Sequence, residues 1–141
     1  MSERISIVMP VFNAAAWLKQ TIASVKEQTH EDWELIAVDD CSSDESFSML
    51  QEMARMDGRI RPVRQEKNSG AAAARNAGIR LAQRRFLVFL DSDDLWKKTK
   101  LEKELAFLKE RQAAFAFTAY EFGDENGNGN GKIVRVPQTL S

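Results

Sequence analysis

The sequence predicts an α/β fold: a mostly parallel sheet with helices on both faces, in three layers. Three observations carry that expectation. Strand-like and helix-like segments alternate along the chain. The run Phe86-Leu87-Val88-Phe89-Leu90 is apolar at every position, as in a parallel strand covered on both sides. The acidic tetrapeptide Asp91-Ser92-Asp93-Asp94 follows at once, at the carboxyl end of that strand, where open α/β sheets bind ligands.

The elements are read in order. Residues 5–9 form a first strand. Residues 15–28 form a helix with Leu18, Ile22 and Val25 on one face and Asn13 as its cap. Residues 33–38 are the second strand. Ser42 to Glu45 has capping-box spacing and opens a second helix, on which Phe47, Leu50 and Ala54 share a face. Met49, Met53 and Met56 lie along it as core or edge filling. Asp57-Gly58 ends it, and residues 60–64 are a short third strand. Asn68-Ser69-Gly70 is a turn before a helix over 71–83. After the strand at 86–90, residues 97–111 form a helix with Leu101, Leu105 and Leu108 inward. Residues 115–120 are a fifth strand, 124–131 a polar glycine-rich loop, and 133–136 a final strand.

Composition narrows the function classes. The 141 residues suffice for one domain with a real core, and 43% of them are hydrophobic. The net charge of −1 supplies no global field for nucleic acid, so no nucleic-acid partner is expected. A single cysteine, Cys41, cannot close an internal disulfide and fits a reducing compartment, so a cytoplasmic location is expected. Met1-Ser2-Glu3-Arg4 runs straight into a strand, so a signal peptide is not expected. No apolar stretch approaches the ~20 residues of a membrane span, although peripheral association at the inner face of a membrane remains open.

Right-handed crossovers place the segments after strands one, two and four on one edge of the sheet. Asp39, Asp40, Asp44, Asp91, Asp93 and Asp94 are thereby expected near one rim. Such carboxylates repel one another unless a positive group sits among them. A divalent cation with oxygen ligands, manganese or magnesium, meets that need. Asp and Ser are also ordinary turn and cap residues, and capped turns are the competing reading.

Four segments, taken together and in order, resemble the family 2 glycosyltransferases. Ser6 to Asn13 is similar to that family's opening strand and Pro-x-Tyr/Phe-Asn turn. Val38 to Asp44 is similar to its Val-Asp-Asp-Gly-Ser-x-Asp segment, with Cys41 where glycine is frequent. Asn68-Ser69-Gly70 with Ala74-Arg75-Asn76-Ala77-Gly78 is similar to its Asn-x-Gly and Ala-Arg-Asn-x-Gly helix, and Asp91-Ser92-Asp93 to its Asp-x-Asp metal motif. The resemblance spans about residues 4–112 and implies a GT-A, Rossmann-like fold. Residues 1–120 would be the nucleotide-sugar-binding domain, and 121–141 a flexible loop and the start of an acceptor-binding half.

The resemblance implies a metal-dependent, inverting glycosyltransferase acting in surface polysaccharide synthesis. Its donor would be a nucleoside-diphosphate sugar, a UDP-sugar first, and its acceptor a saccharide or a lipid-linked saccharide. Asp93 would be the metal ligand. Asp91 would bond the ribose or the metal's water shell, and Asp94 would stand behind them or cap a helix. Asp40 would accept the imide N–H of a uracil-like base, Pro10 and Phe12 would wall the base and ribose pocket, and Arg75 would meet a phosphate or the base. A surface ion pair is the plainer reading of Arg75. His30 is expected in a loop, and Trp17, Trp33 and Trp96 in packing. Lys97-Lys98-Thr99-Lys100 is expected as a solvated helix start.

In that family the general base comes from the later half of the domain, and no residue here matches it. Glu121, Asp124 and Glu125 follow a strand but are not assigned that role. The chain is therefore expected to be part of a longer transferase. A non-catalytic nucleotide-sugar-binding or assembly module is the alternative. A nucleotidyltransferase would place a glycine-rich basic loop after the first strand, and a phosphoacceptor receiver domain would place its acidic pair there. Pro10-Val11-Phe12-Asn13 is neither.

Overall fold

The computed structural model describes residues 4–83, 86–111 and 115–116. Its elements are β1 (Ile5–Val11), α1 (Ala15–Lys26), β2 (Trp33–Asp39), α2 (Ser46–Met56), β3 (Ile60–Arg64), α3 (Ala71–Leu81), β4 (Phe86–Phe89), α4 (Lys100–Arg111) and β5 (Phe115–Ala116). The strands pair in parallel in the order β3-β2-β1-β4-β5. The chain thus builds outward from β1 to β3, then crosses back to β4 on the other side. The strand order reverses between β1 and β4, and that is where an open sheet leaves a crevice at its carboxyl rim.

The three layers follow from side-chain alternation. Ile5, Ile7 and Met9 of β1, with Leu35 of β2 and Val88 of β4, face Leu18, Ile22 and Val25 of α1, Leu50 of α2, and Leu101 and Leu108 of α4. Val8, Ile36, Val38, Leu87 and Phe89 point the other way, beneath α3. Both sides of the central strands are covered, which is why Phe86 to Leu90 can be uniformly apolar. The seat of α3 depends on Gly78: a Cβ there would stand 2.4 Å from Val8 Cγ1. That close approach holds the helix, and Arg75 upon it, against the central strand.

Several boundaries differ from the sequence expectation. β1 runs two residues further, so Pro10 and Val11 belong to the strand rather than to the turn after it. Proline is tolerated there for a geometric reason. The Val8 carbonyl accepts the Leu90 N–H, and Pro10, two residues on, faces the same side. β4 pairs with β1 only as far as Val8 and Phe89, so Pro10 has no ladder bond to lose.

Ser42 to Glu45 does not open α2, which begins at Ser46. The Ser42 hydroxyl is used elsewhere, donating to Asp39 at 2.6 Å and accepting the Asn13 N–H at 2.9 Å. Asn13 does not cap α1 either. It takes a left-handed backbone with φ of 48°, and its side-chain oxygen accepts the Ser43 N–H at 2.8 Å. α4 begins at Lys100, three residues later than expected. Met49 and Met53 pack on the core, but Met56 is 79% exposed and fills nothing. Of the fifth strand only Phe115–Ala116 is described, and the expected segments at 117–120, 124–131 and 133–136 lie outside the described residues. No helix among the described residues is long and apolar enough to cross a membrane.

Candidate functional site

Three loops leave the carboxyl rim: after β1, after β2 and after β4. They are stitched together before any ligand is considered. The first N–H groups of α1 are satisfied from the β2 loop, Ala14 donating to Ser46 Oγ at 2.9 Å and Ala15 to Asp44 Oδ2 at 3.2 Å. The β4 loop is tied to α1, where the Thr21 hydroxyl donates to the Ser92 carbonyl at 2.9 Å. Cys41 occupies the left-handed region at φ of 60°, where glycine carries no steric cost, and its thiol donates to the Gln65 carbonyl at 3.0 Å.

The rim carboxylates do not form one cluster. Asp39, fully buried, accepts the Ser42 N–H and hydroxyl, with Arg64 Nε at 3.6 Å. Asp44 accepts both the hydroxyl and the N–H of Ser46 as well as the Ala15 N–H. The Ser46 hydroxyl leads in holding the Asp44 carboxyl below its ordinary range. Asp94 accepts the N–H of Leu95 at 3.1 Å. All six lie at the carboxyl rim as expected, but the inferred need for a cation among all of them is corrected: the Asp39, Asp44 and Asp94 side chains serve local backbone or hydroxyl donors.

Asp40, Asp91 and Asp93 behave differently. They line one cavity of about 400 Å³ at the β1–β4 switch point, together with Pro10, Phe12 and Arg75. All six side chains singled out in the sequence thus meet in one place. Asp40 is only 3% exposed, and its two oxygens accept the N–H groups of Ser69 and Gly70 at 2.8 Å each. It caps α3 from a distance, a negative charge at the positive end of a helix. Each carboxylate oxygen keeps a second lone pair.

Arg75 stands one turn into α3 with its guanidinium 3.5 Å from Asp91 Oδ1. It is at once an ion-pair partner and part of the cavity wall. Asp93 is exposed, and its carboxylate has no hydrogen bond or ion pair among the described residues. No group of three metal-binding side chains occurs among those residues. Asp91 and Asp93 nonetheless fit the way magnesium-like ions are commonly held, by one or two carboxylates with phosphate oxygens completing the shell. The donors are all hard oxygens, which suits manganese or magnesium.

The tryptophans divide. Trp33 is fully buried with Arg59 stacked 3.8 Å from its ring centroid, and Trp96 is packed in the core, both as expected. Trp17 was expected in packing too, but it is 50% exposed and lines the cavity. Its helical position hid this. It precedes Leu18 of the apolar face, and only the docking of the β4 loop on α1 shows which flank faces the cavity. His30 precedes β2 and so lies at the opposite rim.

Comparison with known proteins points one way. The family model described as Glycosyl transferase family 2 matches residues 6–139. TuaG of Bacillus subtilis, named as a teichuronic acid biosynthesis glycosyltransferase, is 45% identical over 97% of this chain and 54% of its own length. The Escherichia coli protein WfgD, named as a UDP-Glc:α-D-GlcNAc-diphosphoundecaprenol β-1,3-glucosyltransferase, is 38% identical over 97% of this chain and 53% of its own length. The chain thus spans about half the length of these curated relatives. Among solved structures, Staphylococcus aureus TarS (residues 1–349) in complex with UDP-GlcNAc superposes with a TM-score of 0.71 at 28% identity, covering 78% of this chain and 32% of that one.

Proposed function

The chain belongs to glycosyl transferase family 2 and has its GT-A fold, and from that premise we propose that it is the donor-binding part of a metal-dependent, inverting glycosyltransferase. In this reading it takes a sugar from a nucleoside-diphosphate sugar, a UDP-sugar first, for assembly of a surface polysaccharide on a saccharide or lipid-linked acceptor. One observation supports it above the rest: Pro10, Phe12, Asp40, Arg75, Asp91 and Asp93 line a single cavity at the sheet's switch point. The cavity falls in the size range of small-molecule and cofactor sites. The relatives' names and the UDP-GlcNAc complex support the donor class.

The roles follow from what each group can still do. Asp40, with both oxygens already anchored, offers a fixed remaining lone pair to a base imide N–H. Pro10 and the half-exposed Phe12 present apolar faces to the base and ribose. Arg75, held by Asp91, directs a planar fork at a phosphate or the base. Asp91 keeps its other oxygen for the ribose or for metal-bound water. Asp93, unpaired among the described residues, is the direct ligand for manganese or magnesium. A bound divalent cation supplies Lewis-acid neutralisation of the diphosphate charge that grows as the anomeric C–O bond breaks. Residues 1–120 form the donor domain in this reading, with 121–141 leading to the acceptor half. The general base is not assigned to any residue of this chain.

The test is calorimetric titration of UDP with and without manganese. Asp93→Asn is expected to weaken manganese-dependent UDP binding by about tenfold or more. Its thermal midpoint should move by less than about 2 °C, since an exposed side chain without partners is removed. Equal binding by variant and parent rejects Asp93 as ligand. UDP-sugar hydrolysis and transfer assays with and without manganese separate a transferase from a module that only binds. Titrations with GDP- and dTDP-sugars test the preference for uracil.

A further inference from the structure

Trp17 is an indole at a cavity wall with no assigned task. It is half exposed, whereas Trp33 and Trp96 are buried. Its ring nitrogen has no partner among the described residues, and it lies in the first turn of α1. Of the exposed large apolar side chains Phe12, Trp17, Met56, Leu95 and Phe107, Phe12 and Trp17 line the cavity, so two half-exposed aromatic faces are presented to it.

The fold fixes which part of the cavity it serves. Thr21 lies one turn further along α1, on the same side of the helix, and its hydroxyl holds the Ser92 carbonyl at 2.9 Å. Ser92 sits between Asp91 and Asp93. Trp17 therefore flanks the acidic loop from α1, on one face of the sheet, while Gly70 and Arg75 reach the same cavity from α3 on the other face. If Asp40 reads the base and the acidic loop meets the diphosphate, the group beyond the diphosphate lies toward Trp17.

We propose that Trp17 is a stacking platform for the donor's glycosyl ring, positioning the sugar while leaving the nucleotide to the other residues. The inference rests on the nucleotide-sugar reading of the same cavity. The physical basis is the ring quadrupole. The negative face of an indole accepts the weakly positive C–H face of a sugar ring, while the sugar hydroxyls remain free to bond water or carboxylates. An indole also covers more of that face than a benzene ring and offers one N–H to a hydroxyl.

The experiment compares UDP with UDP-glucose and UDP-GlcNAc on the 141-residue chain by calorimetry with manganese present. Trp17→Ala should weaken at least one UDP-sugar by about five- to tenfold while UDP itself binds as in the parent. Trp17→Phe should recover most of the loss. A readout without substitution uses the parent's emission. Because the other two tryptophans are buried, a change on adding UDP-sugar beyond that caused by UDP reports on Trp17. Equal losses for UDP and UDP-sugars would assign Trp17 to the nucleotide and overturn the proposal. So would unchanged binding of both UDP-sugars, or emission indifferent to the sugar. If the parent binds neither UDP nor either UDP-sugar, the nucleotide-sugar reading itself falls, and this inference with it.

Discussion

At the amino-terminal rim of the sheet, Glu34 accepts the Ser6 hydroxyl at 2.6 Å, the Gln83 N–H at 3.2 Å and Arg61 Nη1 at 3.2 Å. At the carboxyl-terminal rim, Asp93 has no such partner among the described residues. The contrast extends to their neighbours. Asp57 is bound by Arg59, whose guanidinium holds its carboxyl below the usual range, and Asp32 pairs with Arg4. Burial alone would raise the Glu34 carboxyl, yet Ser6, Gln83 and Arg61 together bring it below its ordinary value. The first rim spends its carboxylates on the fold. The second keeps part of its complement facing a cavity, with Asp40 serving both ends. Parallel strands explain why the division falls between the rims: all loops suited to ligands leave from one edge.

The largest effect on stability should come from the amino-terminal rim. Glu34→Ala leaves Arg61, Ser6 and the Gln83 N–H without their common acceptor. It is expected to lower the unfolding free energy by about 2–3 kcal/mol, less than for a fully buried pair because Arg61 is partly solvated. UDP affinity should stay at the parent value once both proteins are folded. A parallel fall in affinity would break the separation of the rims. Asp40→Asn sharpens the comparison from the other side. It should cost about 1–2 kcal/mol through the weakened cap of α3 and also reduce UDP binding. Loss of stability with unchanged UDP binding would make Asp40 a cap and nothing more.

Much of this was legible locally. Phe86 to Leu90 announced itself as a buried parallel strand by continuous apolarity, and Ile5 to Met9 and Trp33 to Val38 by mostly apolar runs that Ser6 and Glu34 interrupt. Asp40, Asp91 and Asp93 stood out by their place just beyond strand ends, whereas Pro10, Phe12 and Arg75 were singled out only by the family resemblance. Adjacent Asp39 and Asp40 face opposite sides of the sheet, one toward the Ser42 hydroxyl and Arg64, the other toward α3, as strand alternation requires. What could not be read was the exchange of caps between loops. Local rules assign Asn13 to α1 and Ser42 to α2. In the fold Asp44 and Ser46 cap α1 from about 30 residues away, and Asn13 reaches back to Ser43. A capping rule sees only neighbours in sequence, so any donor satisfied across loops escapes it. Trp17 escaped for a related reason, since its exposure depends on where the β4 loop lands on α1.

That exchange supplies the smallest effect and the finest test of how the carboxyl rim is held. Asp44→Ala removes the acceptor for the Ser46 hydroxyl and N–H and for the Ala15 N–H, at an exposed site. The loss should be about 1 kcal/mol or less at pH 7, the scale of a single cap. Its pH dependence has a fixed sign. The folded-state pKa of Asp44 is depressed, so its contribution is complete above the ordinary aspartate range, near pH 4, and disappears as pH falls through the lower folded value. Parent and variant should therefore differ in thermal midpoint equally at pH 7 and pH 5.5, and converge toward pH 3. Glu34 titrates alike in both proteins and cancels from the difference. A gap that persists undiminished at pH 3 would mean that the lost contacts are packing rather than carboxylate hydrogen bonds. The division of labour at the carboxyl rim would then reduce to shape, with Asp44 contributing no charge to the support of α1.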